Sequence, residues 1–565
     1  MAFLLGVLLV VLFVCVAKIK KLPFYAAVII SVAVFSFANL LPFSPAFDVF
    51  ENASWLSHLR DGFSTEGIWK TQFNWAVTNK VSMLIYTVFS LPFSNLHVFL
   101  KIFNTLLGFG TAIFTAFAVG SLVGKEKTGK ALIITSLCYP FIVLTGSYVY
   151  NLAIFFGALS LFLYLRKSLA ARLCFVLPTA VLIIIRPTAA VFVLVYCGLD
   201  MLRLLFKKKK WLLNLGMIAG VFLVAACLKL ILGGVLYNAE LHPYPKLTDA
   251  AGIWTLNVGT RYLGSDSGRY LESDNDTSNP TDDAFRDVFI LRSVLERNDP
   301  ADYEEVVALK KQVTDDVIAR AIENYWFHPK TIAKFLVYKT RNLYGGPIYM
   351  YAPNYTNPSA ARELAVNLGA DATLMYMALL TVFFGACIFY IFRRRDLEEL
   401  FLAGGAWVTI AVLILLTEVS LRYLLDIFVP ISAVAALLVL KLADMVPEKV
   451  SARVRHKRLV HGAAATVAAL LVALCFSGND LKYFYRAGIA AEQNGDFVTI
   501  SMDFSREPDG RYELWNPSTD EWYALPLTAP LEVPKGTLLV LWVDKEGKGA
   551  VPININGFYI DELLS

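Results

Sequence analysis

Apolar runs of about 20 residues, the length that crosses a ~30 Å hydrocarbon layer as helix, recur along the chain between short basic clusters. The first, Phe3 to Ala17, has no basic segment before it and is followed by Lys18, Lys20 and Lys21, so it reads as a retained span and not a cleaved leader. Further spans are expected near 23–42, 98–120, 212–235, 371–392, 399–417, 424–442 and 459–477. The longer runs 131–165 and 173–206 each suffice for a tight hairpin. One turns at Gly146-Ser147-Tyr148-Val149-Tyr150-Asn151. The other bends at Ile185-Arg186-Pro187-Thr188, because proline removes a helix donor and disfavours helix in the residue before it. The first leg of that second hairpin has only about 13 residues, which draws Arg186 into the outer leaflet.

Polar stretches interrupt this pattern in three places. Residues 43–79, FSPAFDVFENASWLSHLRDGFSTEGIWKTQFNWAVTN, are too polar to cross, and the apolar piece 80–96 after them is expected to lie in or dip into the outer interface. The long loop 236–370 is turn-rich over 240–280 and shows helical spacing over 284–326. Its His328-Pro329 ends one helix and opens another, carrying Lys334, Tyr338, Lys339, Arg341 and Asn342 back toward the membrane. From about 480 the chain alternates in short runs such as FVTISMDF, TLLVLWV and AVPININGFYI, between Pro, Gly, Asn and Asp clusters, which predicts a small β domain.

The basic clusters turn this pattern into a topology. KIKK at 18–21, KEKTGK at 125–130, RKSLAAR at 166–172, KKKK at 207–210, RRR at 393–395 and EKVSARVRHKR at 448–458 all face the cytoplasm under the positive-inside bias. The chain then crosses an even number of times between each pair. The expected fold is an α-helical polytopic membrane protein of about twelve transmembrane helices. Both termini lie outside, with a helical extracytoplasmic loop region and a small C-terminal β-rich domain. The membrane module covers 1–479, with outer loops 43–97 and 236–370, and the β-rich domain covers 480–565.

Composition agrees: hydrophobic residues make up 57% and charged residues 17% of 565, and mean hydropathy is +0.57, which excludes an ordinary soluble domain. The net charge of +5 resides largely in the topogenic clusters, and no basic face with interleaved aromatics points to nucleic acid. All seven cysteines lie in apolar runs, so no disulfide framework is readable. Asn52, Asn275 and Asn354 begin glycosylation-type triplets. His242 and His328 lack a second ligand at metal-binding spacing.

Parity gathers the polar apices on one outer face: the first loop, Tyr148 to Asn151, Arg186, the long loop, and Glu418 to Tyr423. Unpaired charge at membrane depth costs a few kcal/mol, so ionisable residues at so many span ends suggest a site. The plain alternative is that Asp48 and Glu51 are solvated loop charges and that Arg186 and Arg422 snorkel to headgroups.

The order and common sidedness of these motifs resemble the GT-C superfamily of polytopic glycosyltransferases, which includes protein O-mannosyltransferases and aminoarabinose transferases. The matching motifs are Phe47-Asp48-Val49-Phe50-Glu51, Tyr150-Asn151, Arg186-Pro187-Thr188, His328-Pro329 with Lys339, and Glu418-x-x-x-Arg422-Tyr423 followed by Pro430. They cover about residues 20 to 440. The chain departs from the pattern in spacing its first-loop acids Asp-x-x-Glu, where many relatives have adjacent acids, and in carrying Asn at 151, where a second carboxylate is common.

The resemblance implies a membrane glycosyltransferase that takes a sugar from a polyprenyl-phosphate-linked donor on the outer face and passes it to a glycan, lipid or protein acceptor. Asp48 is then the base, with Glu51 second. Arg186, Lys339, Arg341 and Arg422 are the candidates for the donor phosphate, since guanidinium offers a fork and ammonium a point charge. Tyr150, Asn151, Glu418, Tyr423 and His58 would line the substrate cavity. No cofactor is assigned, and a divalent metal is left open. A transporter or flippase of lipid-linked sugars is the rival class; it predicts an internal repeat and mid-membrane charges on broken helices, and the sequence shows neither.

Overall fold

The computed structural model describes residues 2–19, 22–40, 43–45, 77–93, 96–138, 148–166, 168–207, 211–238, 303–327, 351–353, 360–392, 397–417 and 421–445. It also describes the strands and their immediate neighbours between 488 and 559, and isolated positions between 252 and 340. The helices in chain order are α1 (Ala2–Ala17), α2 (Phe24–Leu40), α3 (Val77–Ser90), α4 (Leu96–Val123), α5 (Thr128–Cys138), α6 (Tyr148–Tyr164) and α7 (Leu169–Cys174). They continue with α8 (Val176–Ile185), α9 (Pro187–Phe206), α10 (Leu212–Asn238), α11 (Tyr303–Phe327), α12 (Ala360–Phe392), α13 (Leu397–Leu416) and α14 (Phe428–Met445).

Among the described residues, five segments are long and apolar enough to cross a membrane: Ile102–Val123, Pro187–Phe206, Leu212–Asn238, Leu397–Leu416 and Tyr423–Met445. Shorter apolar stretches occur in α1, α2, α3, α6, α7 with α8, and α12. The chain is a helical membrane protein.

Side-chain contacts fix which helix ends lie together. Arg172 of α7 approaches Asp200 of α9 to 3.9 Å. The two are equally far from Arg186 along the chain, so α7–α8 and α9 fold back on each other with Arg186 at the tip. Arg186 leaves the helix (φ −155, ψ 88), and Pro187 opens α9 at its first position, where a missing N–H costs nothing.

The basic end of the bundle holds Tyr164, Asp200 and Asn214, Arg203 with Glu398, Lys441 with Glu399, and Lys127 with Asp444. At this end the Lys130 ammonium also donates to the Ala17 carbonyl at 2.6 Å. Each of these groups neighbours one of the basic clusters. The tips at Tyr150, Arg186 and Tyr423 lie at the other end.

One helix organises the interior. Every residue of α14 from Phe428 to Leu440 is buried, and α1, α4, α5, α6, α12 and α13 all pack on it. Its small residues Ser432, Ala433, Ala435 and Ala436 let neighbouring backbones come close. Pro430 falls in its first turn, where the helix has N–H groups to spare. By contrast, α10 packs mainly on α8 and α9 and turns Phe222, Leu223, Leu230, Ile231 and Val235 outward, the pattern of a lipid-facing helix.

Three boundaries differ from the sequence reading. The apolar piece expected over 80–96 is α3, Val77–Ser90; at ~1.5 Å per residue its 14 residues fall short of the hydrocarbon thickness. Tyr86 and Met83 of α3 bury against Leu152, Ile184, Ile185 and Phe99, near the tip end of the bundle. α12 begins at Ala360, earlier than expected, so its first turns project past the tip end, where the Tyr376 hydroxyl donates to the Leu424 carbonyl at 2.6 Å. Before α14 comes a 3-10 segment, Leu421–Ile427, in place of the start of a straight span. The expected span 459–477 and most of the long loop lie outside the described residues.

Short strands complete the fold. β1 (Phe43–Pro45) pairs antiparallel with β2 (Tyr351–Pro353), Ser44 opposite Ala352. This ties the opening of the first polar loop to the end of the long one. Toward the C-terminus, β3 (Gly488–Asn494), β4 (Phe497–Asp503) and β7 (Leu531–Pro534) form one sheet in the order β3-β4-β7. β5 (Arg511–Asn516), β6 (Glu521–Leu525), β8 (Leu538–Asp544) and β9 (Asn554–Tyr559) form another in the order β6-β5-β8-β9. Asn494 faces Phe497 in the β3–β4 hairpin, and Gly495 supplies the positive φ of 64 that its two-residue turn requires.

Candidate functional site

At the tip end, Tyr150 and Tyr423 gather on Arg186, all three singled out from the sequence, and Arg186 pairs with Asp426, which was not. Nε of Arg186 donates to Asp426 Oδ1 at 2.7 Å, and its Nη2 donates to the Tyr150 hydroxyl at 2.8 Å. The guanidinium lies 4.1 Å from the Tyr150 ring centroid and 5.2 Å from that of Tyr423. Thr188, two positions beyond Arg186, donates its hydroxyl to the other Asp426 oxygen at 2.5 Å. Both carboxylate oxygens of Asp426 are therefore engaged, which is what a side chain with 0% exposure needs.

Local structure explains the convergence. The break at Arg186 frees its side chain from either helix, and Pro187 holds the tip. Tyr150 sits in the first turn of α6, just after the loop expected there. The 3-10 segment places Tyr423 and Asp426 three residues apart and so on one side, since 3-10 side chains at i and i+3 eclipse. Asp426 left a readable signal, a single carboxylate in an otherwise apolar run, and charge at that depth is functional or structural by default. Asn151, the residue after Tyr150, is fully buried.

The arrangement is a positioned cation. Arg186 keeps 20% of its side chain accessible, and among the described residues no acceptor takes the N–H groups of its Nη1. Asp426 cancels the charge at long range, so the pair exerts little pull from a distance. At contact, the free edge of the fork still offers hydrogen bonds in a fixed direction, backed by two aromatic faces. A guanidinium does not give up its proton. The chemistry available at Arg186 is therefore anion holding, not acid–base work.

Of the other expected site residues, Arg422 lies in the 3-10 segment next to Tyr423, and nothing is described of its side chain. Asp48, Glu51, His58, Lys339, Arg341 and Glu418 lie outside the described residues, as do His242 and His328. Among the described residues no group of three or more His, Cys, Asp or Glu converges as metal ligands would.

A second polar network closes the basic end. Asp200 accepts from Tyr164 at 2.6 Å, from Asn214 at 3.1 Å and from Arg203. Asn214 donates to Tyr164 and accepts from Arg172, each at 2.8 Å, and Tyr196 donates to Glu398 at 2.6 Å. Two carboxylates and two guanidinium groups balance within it, which fits a structural tie joining α6, α7, α9, α10 and α13. Comparison of the chain with protein-family models, with curated proteins and with solved structures finds no match, and the functional reading rests on this geometry together with the sequence motifs.

Proposed function

We propose that the protein is a GT-C-like glycosyltransferase of about twelve spans that takes a sugar from a polyprenyl-phosphate-linked donor at the extracytoplasmic face. The observation that supports this is the meeting of Tyr150, Tyr423 and Asp426 around Arg186. These tips come from segments far apart in sequence, and they gather at the end opposite the basic clusters. A phosphate leaving group needs no general acid, only donors placed where its charge develops, and the open edge of Arg186 suits that task. Lys339, Arg341 and Arg422 are assigned to the same phosphate, and Tyr150, Asn151, Glu418, Tyr423 and His58 to the cavity.

Asp48, with Glu51 second, takes the proton of the acceptor hydroxyl. The acceptor oxygen bonds to the anomeric carbon as the bond to the phosphate oxygen breaks. The electron pair leaves with the phosphate, and the anomeric configuration inverts. Asp48 is only three residues past β1, the strand whose pairing with β2 brings the two outer loops together.

The test is transfer by purified protein in detergent, where no second compartment exists. Wild type converts a polyprenyl-phospho-sugar to product, whereas Asp48→Asn loses about 10²–10⁴-fold in rate and still binds the donor. Absence of product from wild type, with lipid-linked sugar crossing a reconstituted bilayer, would point instead to a transporter or flippase. Full activity in Asp48→Asn would remove Asp48 as base.

A further inference from the structure

We infer that one face of the C-terminal sheet β6-β5-β8-β9 binds a neutral glycan chain, with Trp515, Trp522, Trp542 and Tyr559, which the strand register sets on that face, as its stacking platform. The choice of a glycan rests on the acceptor class proposed above, and the platform itself rests on register.

Residues alternate between the two faces along a strand, so pairing carries a face assignment across the whole sheet. Trp515 pairs with Trp522 on β6 and with Val540 on β8, and Val540 pairs with Gly557 on β9. The next row on the same face is Ala524, Glu513, Trp542 and Ile555. To the other side of the first row, Leu538 pairs with Tyr559. Every tryptophan after residue 480 therefore falls on one face. The opposite face has Leu514, Leu525, Leu541 and Val543 in its middle rows, the aliphatic set that an antiparallel sheet turns to its core. Exposure follows the same division: in the edge strand β6, Ala524 is exposed, whereas Tyr523 of the opposite face is half-buried.

Clustered aromatic residues on a solvated face mark a surface that something covers, and their neighbours select the cover. A sugar ring is apolar on its C–H faces and polar around its rim. Indole offers a broad flat surface at the entropy of only two side-chain torsions. Glu513, in register with Trp542 and two residues from Trp515, supplies a carboxylate to accept hydroxyl protons. Gly557 ends the tryptophan row without a side chain and leaves a path over β9. From β6 to β9 the platform crosses three strand spacings, ~14 Å, the span of a short oligosaccharide. A lipid surface suits it less: within the strands the one cation of this face, Arg511, is paired in register with Asp544, and Glu513 would meet anionic headgroups. Position supports the glycan as well, because β9 approaches β1, the strand that ends three residues before Asp48.

The experiment titrates full-length protein in phosphatidylcholine nanodiscs, by calorimetry, with neutral gluco-, galacto-, manno- and arabino-oligosaccharides. At least one of these is expected to bind, and Trp515→Ala and Trp522→Ala should each weaken it about tenfold, as truncation of a central interface aromatic does. Trp515→Tyr, which keeps a ring on the platform, should stay within about threefold of wild type. Melting temperatures should match wild type; Trp522 lies on an edge strand, so its variant reads binding even where Trp515→Ala fails to fold. Absence of binding by every oligosaccharide overturns the inference, as does unchanged affinity in both alanine variants. Quenching by brominated phosphatidylcholine of an emission that Trp522→Phe removes overturns it too, since the face would then rest on lipid. If wild type binds saccharide through these residues but makes no glycoside, the transferase reading falls and the saccharide surface stands. If transfer proceeds and both alanine variants bind as wild type, the surface falls and the transferase reading stands.

Discussion

Arg186 and Asp426 stand 240 positions apart in the chain and form one charge pair at the tip of the bundle. Removing one partner strands the other in a poorly solvated place. Removing both in favour of apolar groups of similar size costs far less. Asp426→Leu is therefore expected to destabilise by up to about 3 kcal/mol, the low end for a buried pair because Arg186 is partly open. The double variant Arg186→Met with Asp426→Leu should recover most of that stability without recovering sugar transfer. Thermal melts and transfer assays on the two single variants and the double variant check this; equal losses in all three melts would contradict it. Arg186 could be read from the sequence because proline follows it and fixes a tip. Its partner could not, since nothing in the spacing of an apolar run says which distant tip it will meet.

Close approach between elements depends on a few positions without side chains. In α13, a Cβ on Gly405 would lie 2.6 Å from the Phe192 carbonyl oxygen of α9, a backbone atom that cannot swing aside. A Cβ on Gly404 would meet only the tip of Leu199, at 3.3 Å. Gly405→Ala should therefore cost about 1–3 kcal/mol, the usual penalty for overpacking, and Gly404→Ala much less. Melting temperatures of the two variants in one detergent give the comparison. Separation of α9 from α13 would also strain the Arg203–Glu398 link between them, and Gly405→Ala is predicted to loosen that end first. The sequence reveals these helices by hydropathy alone. Which faces touch depends on glycines and alanines that hydropathy counts as merely apolar.

The two polar loops of the whole molecule meet in a short ribbon. Ser44 and Ala352 are direct cross-strand partners, at the Cα separation of about 4.5–5.5 Å typical of such pairs, which suits a disulfide. In a background without the native cysteines, Ser44→Cys with Ala352→Cys should crosslink under mild oxidation and leave transfer intact. Cleavage between the loops, followed by electrophoresis with and without reductant, reads the result; no crosslink would separate the loops and with them the proposed active face. Which helix ends lie together was legible at this scale, because lysine and arginine clusters cannot rest in hydrocarbon and therefore gather at one end of the bundle. Depth of burial was not. α10 and α14 are about equally apolar, yet one faces lipid and the other lies at the centre, since hydrocarbon and protein interior both welcome the same residues.

The position of α14 bears on how the molecule is made. Six helices rest on it, and five of them leave the ribosome well before it does. Until it arrives they have no common surface to settle against, although α2 and α5 can already meet through the Ser31–Ser136 hydrogen bond. Assembly is thus held open until almost the whole membrane portion has been translated, and it closes when this late segment slides into the gap its predecessors have left.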